Sequence, residues 1–378
     1  MSVCISIISS VRAFEFEVHM SAPNSDSAKP KHGRMDWIDA TRGIGVILVI
    51  LVHSIIPNIN PITLHVSSFV IPLFFIFSGV THNADKHRNN IKRFLKTRAK
   101  QLLVPYFCLY GVVLLLFVPF SSVFEFPLTP SQLAFWFFYG SGPPKLTLHL
   151  WFLPVLYFGM ALFVGLDYVT KNLPRLFRWM LVGALSYGAI FLKDSFEPML
   201  VPWHLNAILL SAAFIIIGNE ARHYRELDAW SFESTAFDAL ALAAGTSLLI
   251  VLSRMNGFVD LAVDNYGSSI WLYLATGTLG TVMVTLATNM ALEASETIRR
   301  LLLRVGKHSQ EVYEAHPLVF YLVAPVIMFV GMLLGWLIPV EPLGWFIRFI
   351  SATAISITFT TRFIRANSTL RFIFTGRR

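Results

Sequence analysis

Apolar residues in this chain gather into long runs separated by short polar or basic segments, rather than alternating singly with polar ones. A helix rises about 1.5 Å per residue, so a run of about 20 apolar residues matches the ~30 Å hydrocarbon core of a bilayer. By that criterion ten spans are predicted, near 43–59, 64–82, 102–120, 148–168, 177–192, 203–219, 236–252, 268–290, 317–339 and 343–363. The run at 177–192 is short, and SQLAFWFFYG at 131–140 reads as an interfacial or re-entrant piece, which leaves nine and eleven as alternative counts. The pattern therefore predicts an all-α fold, a polytopic integral membrane helical bundle of about ten transmembrane helices. No long linker or internal repeat divides it.

Composition strengthens this picture. Of 378 residues 55% are hydrophobic and only 14% charged, the mean hydropathy is +0.62, and there are 33 phenylalanines. Such a chain has too little polar surface to coat a soluble globule of its size. Twenty-six of the 30 Lys and Arg residues fall in alternate connections and the two terminal regions, namely up to Arg42, 86–100, 171–178, 222–225, 299–307 and from Arg362 onward. Lys145, Lys193 and Arg254 lie in the opposite loops and Arg348 within the last span. This asymmetry predicts that both the N and C termini are cytoplasmic. It also accounts for the net charge of +8 without nucleic acid as a partner. Cys4 and Cys108 fit neither a disulfide framework nor a metal-ligand spacing. Residues 1–34 lack the charge-then-apolar order of a secretory signal and are expected to be a disordered extension, with translation starting at Met35 or Met20. Residues 366–378 form a basic cytoplasmic tail.

The candidate chemistry lies first in RGIGVILVILVHS. Arg42 and His53 are eleven residues apart, which on a helix places them within about 20° of one face and roughly 16 Å apart in depth. An ionisable ring deep in a bilayer implies a wet cavity or a functional role. The alternative readings are a structural imidazole bonded to neighbouring helices and, for Arg42, an orientation anchor paired with Asp39. Elsewhere, Ser78 precedes Gly79 inside the second span and is expected to serve packing, because no Gly-x-Ser-x-Gly elbow is present. Trp151 and Phe152 suit either a sugar pocket or the aromatic belt, with His149 beside them. Trp203 and His204, like Glu314 and His316, are expected to be interfacial or capping residues at span ends. Arg348 requires an acidic or carbonyl partner or a wet cavity.

RMDWIDATRGIGVILVILVHS, FFIFSGV at 74–80, KRFLKTRAKQLLVPY at 92–106, LWFLPVLY at 150–157 and VGKHSQEVYEAHP at 305–317 occur in the order and spacing of one family. With them the chain resembles the membrane-bound acyltransferase 3 family, most closely its fucose 4-O-acetylase-like polysaccharide O-acetyltransferases, over a transmembrane domain at 35–365. The resemblance implies an integral membrane O-acyltransferase in a bacterial inner membrane. It would take an acyl group, usually acetyl, from cytoplasmic acyl-CoA, a co-substrate rather than a bound cofactor, and place it on a sugar hydroxyl of an exopolysaccharide, lipopolysaccharide or lipid-linked glycan. Neither a metal nor a nucleic acid takes part, and the lipid bilayer is the protein's surroundings.

The family's Arg-x10-His pattern maps onto Arg42 and His53, implying His53 as the catalytic base and Arg42 as a contact for acyl-CoA. The rise between them is comparable to a pantetheine arm. Arg98 is the further implied contact for the CoA phosphates, since guanidinium grips phosphate bidentately. Many family members carry Arg-x-x-Arg there, whereas this chain reads Arg98-Ala-Lys-Gln101, with Lys100 or Arg93 as substitutes. Asp39, Ser78, Trp151 and His316 are candidates to line the site, His316 at a shallower, cytoplasmic depth than His53. A transporter or flippase of a lipid-linked saccharide is the competing class, but it needs no aligned Arg and His pair, and no matching broken helices mark two halves of this chain.

Overall fold

A computed structural model describes residues 36–377, apart from 57, 84–86, 89, 118–128, 144–147, 225–234 and 321–342. The elements in chain order are α1 (Asp36–Ile55), α2 (Pro61–Ser67), α3 (Val70–Val80), α4 (Ile91–Phe117), α5 (Pro130–Tyr139), α6 (Phe152–Thr170), α7 (Arg175–Phe196), α8 (Leu205–Tyr224), α9 (Thr235–Asn256), α10 (Ile270–Ala294), α11 (Glu296–Lys307), α12 (309–320), α13 (Leu343–Phe359) and α14 (Ser368–Thr375). Among the described residues there is no sheet, and eight helical stretches are long and apolar enough to cross a membrane. They coincide with the first eight predicted spans. The protein is an all-α polytopic membrane bundle.

The differences lie at the ends of helices. α1 starts at Asp36, not near 43, so Arg42 sits inside the helix and not at its mouth. α7 runs for 22 residues from Arg175 to Phe196, which removes the shortness expected of 177–192. The aromatic piece at 131–140 forms α5, ten residues between a Thr129 capping box and a left-handed Gly140 at φ 76°, too short to span. α12 begins at 309, well before the predicted 317, and most of the ninth predicted span lies outside the described residues. The tenth is α13, continued by a π-helical turn at Thr360–Ile364. The basic tail is not loose, because α14 packs on α4 and Gly376, at φ 63°, lies against the Lys100 carbonyl.

α8 forms the centre. It packs on α3, α6 and α7 and is 78% buried over its apolar window, against 11% for α9, most of whose side chains face outward. Lipid tails are as apolar as leucine, so helices in a bilayer associate through close fit and polar contacts, and small residues allow backbones to approach. Gly79 of α3 lies against the Ile215 carbonyl and Gly218 of α8 against the Ile76 carbonyl, a reciprocal glycine contact. α11 crosses α1 by the same device, with Gly43 against the Leu302 carbonyl and Gly306 against that of Asp39. This second crossing sets the position of α12, which follows α11 directly.

Polar groups at the basic end are paired across helices. Asp167 of α6 accepts from Arg88 at 2.9 Å and from Arg178 of α7 at 2.7 Å, and Arg178 reaches Glu220 of α8 at 2.9 Å. Asp167 and Glu220 are buried, and stripping either would leave an uncompensated charge.

A side chain added at Gly306 must push α11 away from α1. Gly306→Val is expected to cost about 1–3 kcal/mol through overpacking and to lower the midpoint of thermal unfolding in detergent, whereas Gly165→Ala, with nothing within 4 Å of its added carbon, leaves the midpoint unchanged.

Candidate active site

The α1–α11 crossing brings α12 alongside α1, so that His53 and His316, 263 residues apart in sequence, meet with Nδ1 of His53 2.8 Å from Nε2 of His316. Their rings lie within 14° of parallel with centroids 5.0 Å apart. His316 Nδ1 in turn contacts the Tyr313 carbonyl. A carbonyl only accepts, so Nδ1 of His316 carries a proton, and with the ring neutral its Nε2 is the acceptor. Nδ1 of His53 must then donate, which leaves Nε2 of His53 as a bare lone pair. Two uncharged rings thus satisfy both contacts with one proton each.

This arrangement revises the expected place of His316. It does not cap the cytoplasmic end of a span, because α12 starts eight residues earlier than predicted and carries the ring two turns inward. His53 opens onto a cavity of about 370 Å³, also lined by His149, Trp151, Tyr273, Tyr313 and His316. His53 is exposed and lines that space, and it stands near the far end of α1 and not deep in the span as expected. Tyr313 donates its hydroxyl to the His149 carbonyl at 2.7 Å, fastening α12 to the turn that precedes α6. Arg348 of α13 donates Nε to the Ser54 carbonyl at 2.9 Å, the carbonyl partner it required, and so ties α13 to the residue after His53.

At the end away from the basic loops, the α9–α10 loop contributes Phe258 to Ala262 to the cavity wall. Asp260 caps a short turn by accepting from the Ala262 amide at 3.0 Å, and burial pushes its carboxyl above the usual range. The hydroxyl of Tyr273 is buried and has no hydrogen-bond partner among the described residues. The cavity therefore combines aromatic faces with acceptors and an unsatisfied hydroxyl.

A second cavity of about 170 Å³ opens towards the basic end, lined by Arg42, Ser78, Arg98, Gln101, Gln310 and Tyr313, among others. Arg42 donates to the Thr81 hydroxyl at 3.5 Å. Arg98 donates to Gln101 at 3.1 Å and lies over the Phe94 ring at 5.5 Å, with Arg377 after α14 close enough to act on its charge. Gln310 bridges the Gln101 carbonyl, at 2.7 Å, and Glu314, at 2.9 Å. Tyr313 is a wall of both cavities, so the guanidinium groups and the imidazoles stand at the two ends of adjoining spaces.

The remaining predicted residues divide. Ser78 lines the second cavity while its hydroxyl is spent on the Phe74 carbonyl at 2.8 Å. Trp151 is buried in the first cavity and not in an aromatic belt. Asp39 is buried beside α11 and lines neither cavity. Lys100 is exposed and lines neither, since two residues along a helix turn it about 200° from the face of Arg98. Gln101, standing where the family carries its second arginine, faces the cavity instead. His204 stands immediately before α8, at the end of that span as expected, buried 3.8 Å from Asp264. Trp203, its neighbour, donates its indole to the Phe138 carbonyl of α5 at 2.9 Å. Sequence reading missed Tyr313, Asp260 and Tyr273. Tyr313 had a usable signal, three residues before His316 on what becomes the same helix face.

Among known proteins, the model of the acyltransferase 3 family, described as an acyltransferase domain, matches residues 35–361. No curated protein and no solved structure matches the chain. The matched stretch takes in both cavities and every residue assigned to them above, so this multi-pass membrane protein belongs to the acyltransferase 3 family and is an acyltransferase.

Proposed function

We propose that the protein transfers an acetyl or similar acyl group from cytoplasmic acyl-CoA to a sugar hydroxyl of an exopolysaccharide, lipopolysaccharide or lipid-linked glycan in a bacterial inner membrane, as its fucose 4-O-acetylase-like motifs suggest. The observation that carries this reading is the His53–His316 pair, with its bare Nε2 on a cavity that adjoins an arginine-lined one. Arg42 and Arg98 hold the CoA phosphates at the basic end, taken as cytoplasmic, and the pantetheine arm carries the thioester past Tyr313. Lys100 contributes background charge. The acceptor sits against Trp151 and Tyr273, with Asp260 positioned to accept from a sugar hydroxyl.

In the reaction, Nε2 of His53 takes the proton from the attacking hydroxyl as its oxygen bonds to the thioester carbonyl carbon. The tetrahedral intermediate collapses by breaking the carbon–sulfur bond, and the imidazolium returns the proton to the departing thiolate. While His53 is charged, its Nδ1–H continues to donate to His316, an uncharged acceptor already in place. His316 is a positioning residue in this scheme, holding the tautomer that exposes Nε2. Membership of an acyltransferase family also favours catalysis over saccharide transport.

With membranes containing the protein, labelled acetyl-CoA and a glycan acceptor, His53→Ala is expected to reduce label transfer by about 10²–10⁴-fold, and equal transfer by this variant removes His53 from the mechanism. His316→Ala should lower kcat with little change in KM, and His316→Gln, whose side-chain oxygen accepts a hydrogen bond from Nδ1–H, should recover part of the loss. For Arg98→Ala, KM for acetyl-CoA rises about tenfold, matching the loss of one charged hydrogen bond, while kcat is held. An unchanged KM would take Arg98 out of the donor site.

A further inference from the structure

The His53 cavity carries a polar pattern of its own at the end away from the basic loops. Among the described residues that line it there is no lysine or arginine, and Asp260 is the one carboxylate. Asp260 is half-buried, and the titratable side chains that act on it are His204 and Asp264, not a guanidinium or an ammonium group. An acidic sugar would bring a second carboxylate into this space without a counter-charge, which like charges in a poorly hydrated site make costly.

The loop that carries Asp260 is built to hold it. The Asp260 backbone pairs with that of Asn265 through two hydrogen bonds of 2.9 Å, and the Asn265 side chain donates to the Phe258 carbonyl at 3.1 Å. Asn256, at the end of α9, donates to the Tyr266 carbonyl at 3.0 Å, and Asp264 accepts from the Val201 amide at 3.0 Å, which ties the loop to the segment before α8. A loop so bonded fixes the carboxylate against the cavity, as a group that reads a substrate requires. Tyr273, on the first turn of α10, walls the same space. It is 0% exposed, its ring packs edge-on against Phe214 at 5.5 Å, and its hydroxyl has no hydrogen-bond partner among the described residues. A buried phenol left unpaired is unfavourable, and a ligand hydroxyl that reaches it removes that penalty. Asp260 lies within electrostatic reach of Tyr273. An oxyanion formed at this phenol would therefore face a carboxylate, whereas a sugar hydroxyl, which both donates and accepts, suits the two groups together.

We propose, resting on the acyl-transfer reading above, that Asp260 and Tyr273 are the acceptor-specificity residues and select an uncharged sugar residue, holding a second hydroxyl of the ring whose first hydroxyl gives its proton to His53. Asp260 accepts from that second hydroxyl and Tyr273 donates to it. The cavity, of about 370 Å³, stands near the lower end of the range for ligand pockets, about 300–1,000 Å³, and so takes one sugar residue laid on Trp151 and not a run of glycan. Uronic acids are excluded by the missing counter-charge.

The test uses the full-length protein in lipid nanodiscs with labelled acetyl-CoA and two pairs of acceptors, the methyl glycosides of glucose and galactose and those of glucuronic and galacturonic acid, which differ only at carbon 6. The wild type is expected to favour the neutral glycosides by about tenfold or more in kcat/KM. Asp260→Asn, which keeps an accepting oxygen for the Ala262 amide and removes the charge, should narrow that gap through better use of the uronides. Tyr273→Phe should raise KM for the neutral glycosides about tenfold with kcat held. Because it deletes an unpaired hydroxyl, it should not lower the midpoint of thermal unfolding. Equal use of neutral and acidic glycosides by the wild type, or an unchanged gap in Asp260→Asn, overturns the proposal. A loss of kcat at constant KM in Tyr273→Phe places the phenol on the tetrahedral intermediate and overturns its assignment to the acceptor, as do unchanged constants. Binding measured without any donor, from the shift of His53 Nε2 in nitrogen-15 histidine-labelled protein, separates this from the underlying reading. A shift with the neutral glycosides that the uronides do not give, with acetyl transferred to none of them, keeps the sugar site and removes acetyl-CoA as donor. No shift with any of the four removes the site.

Discussion

One hydrogen bond between two histidine rings, His53 of α1 and His316 of α12, constrains the rest of this protein. Neither ring can meet its hydrogen-bonding needs from lipid, and apart from the bare Nε2 of His53 their nitrogens are satisfied by each other and by the Tyr313 carbonyl. Holding that pair in register demands a close crossing of α1 and α11, which Gly43 and Gly306 permit by presenting no side chain at the contact. It also demands that the ends of the pair be fixed. Tyr313 is bonded to the His149 carbonyl and Arg348 to the Ser54 carbonyl, so α12, the turn before α6, and α13 all bear on the same point.

The polar groups divide the bundle along its depth. Most guanidinium groups gather at the basic end, where Asp167 and Glu220 hold some of them across three helices, while Arg348 stands beside His53 with its Nε on the Ser54 carbonyl. Uncharged imidazole, phenol and indole groups line the cavity farther in. Most of the cationic charge is thus kept where water and phosphate are within reach, and proton transfer is left to rings that cost less to place inside a bilayer. Tyr313, facing both spaces, is the hinge of this division.

The bundle itself was legible in the chain because an apolar run of span length has few other stable outcomes. Helix starts were harder to read. DWIDATR before the first apolar run and SQEVYEA before the ninth are polar enough to look like connections, yet they form the first turns of α1 and α12, buried by neighbours and not by lipid. The consequence was chemical, since misplacing the start of α12 put His316 at the wrong depth and hid its contact with His53. Arg42 and Arg98 were found from residue type and the family's motifs, and they do face one cavity. Lys100 shared their charge but not their helix face, a distinction the 3.6-residue period already contained. The role of Gly306 was not readable, because a glycine needed for a crossing looks like any other glycine until the opposite backbone is in place.

The central claim is that His53 presents an unprotonated Nε2 to the cavity because His316 accepts from its Nδ1. Nitrogen-15 magic-angle-spinning NMR of histidine-labelled protein in lipid tests it most directly, with the His53 signals identified among those of the 11 histidines by their loss in His53→Asn. At neutral pH His53 is predicted to show a protonated Nδ1 and a bare Nε2, and to lose that fixed tautomer in His316→Ala. A His53 ring with its proton on Nε2, or one unaffected by removing His316, contradicts the account.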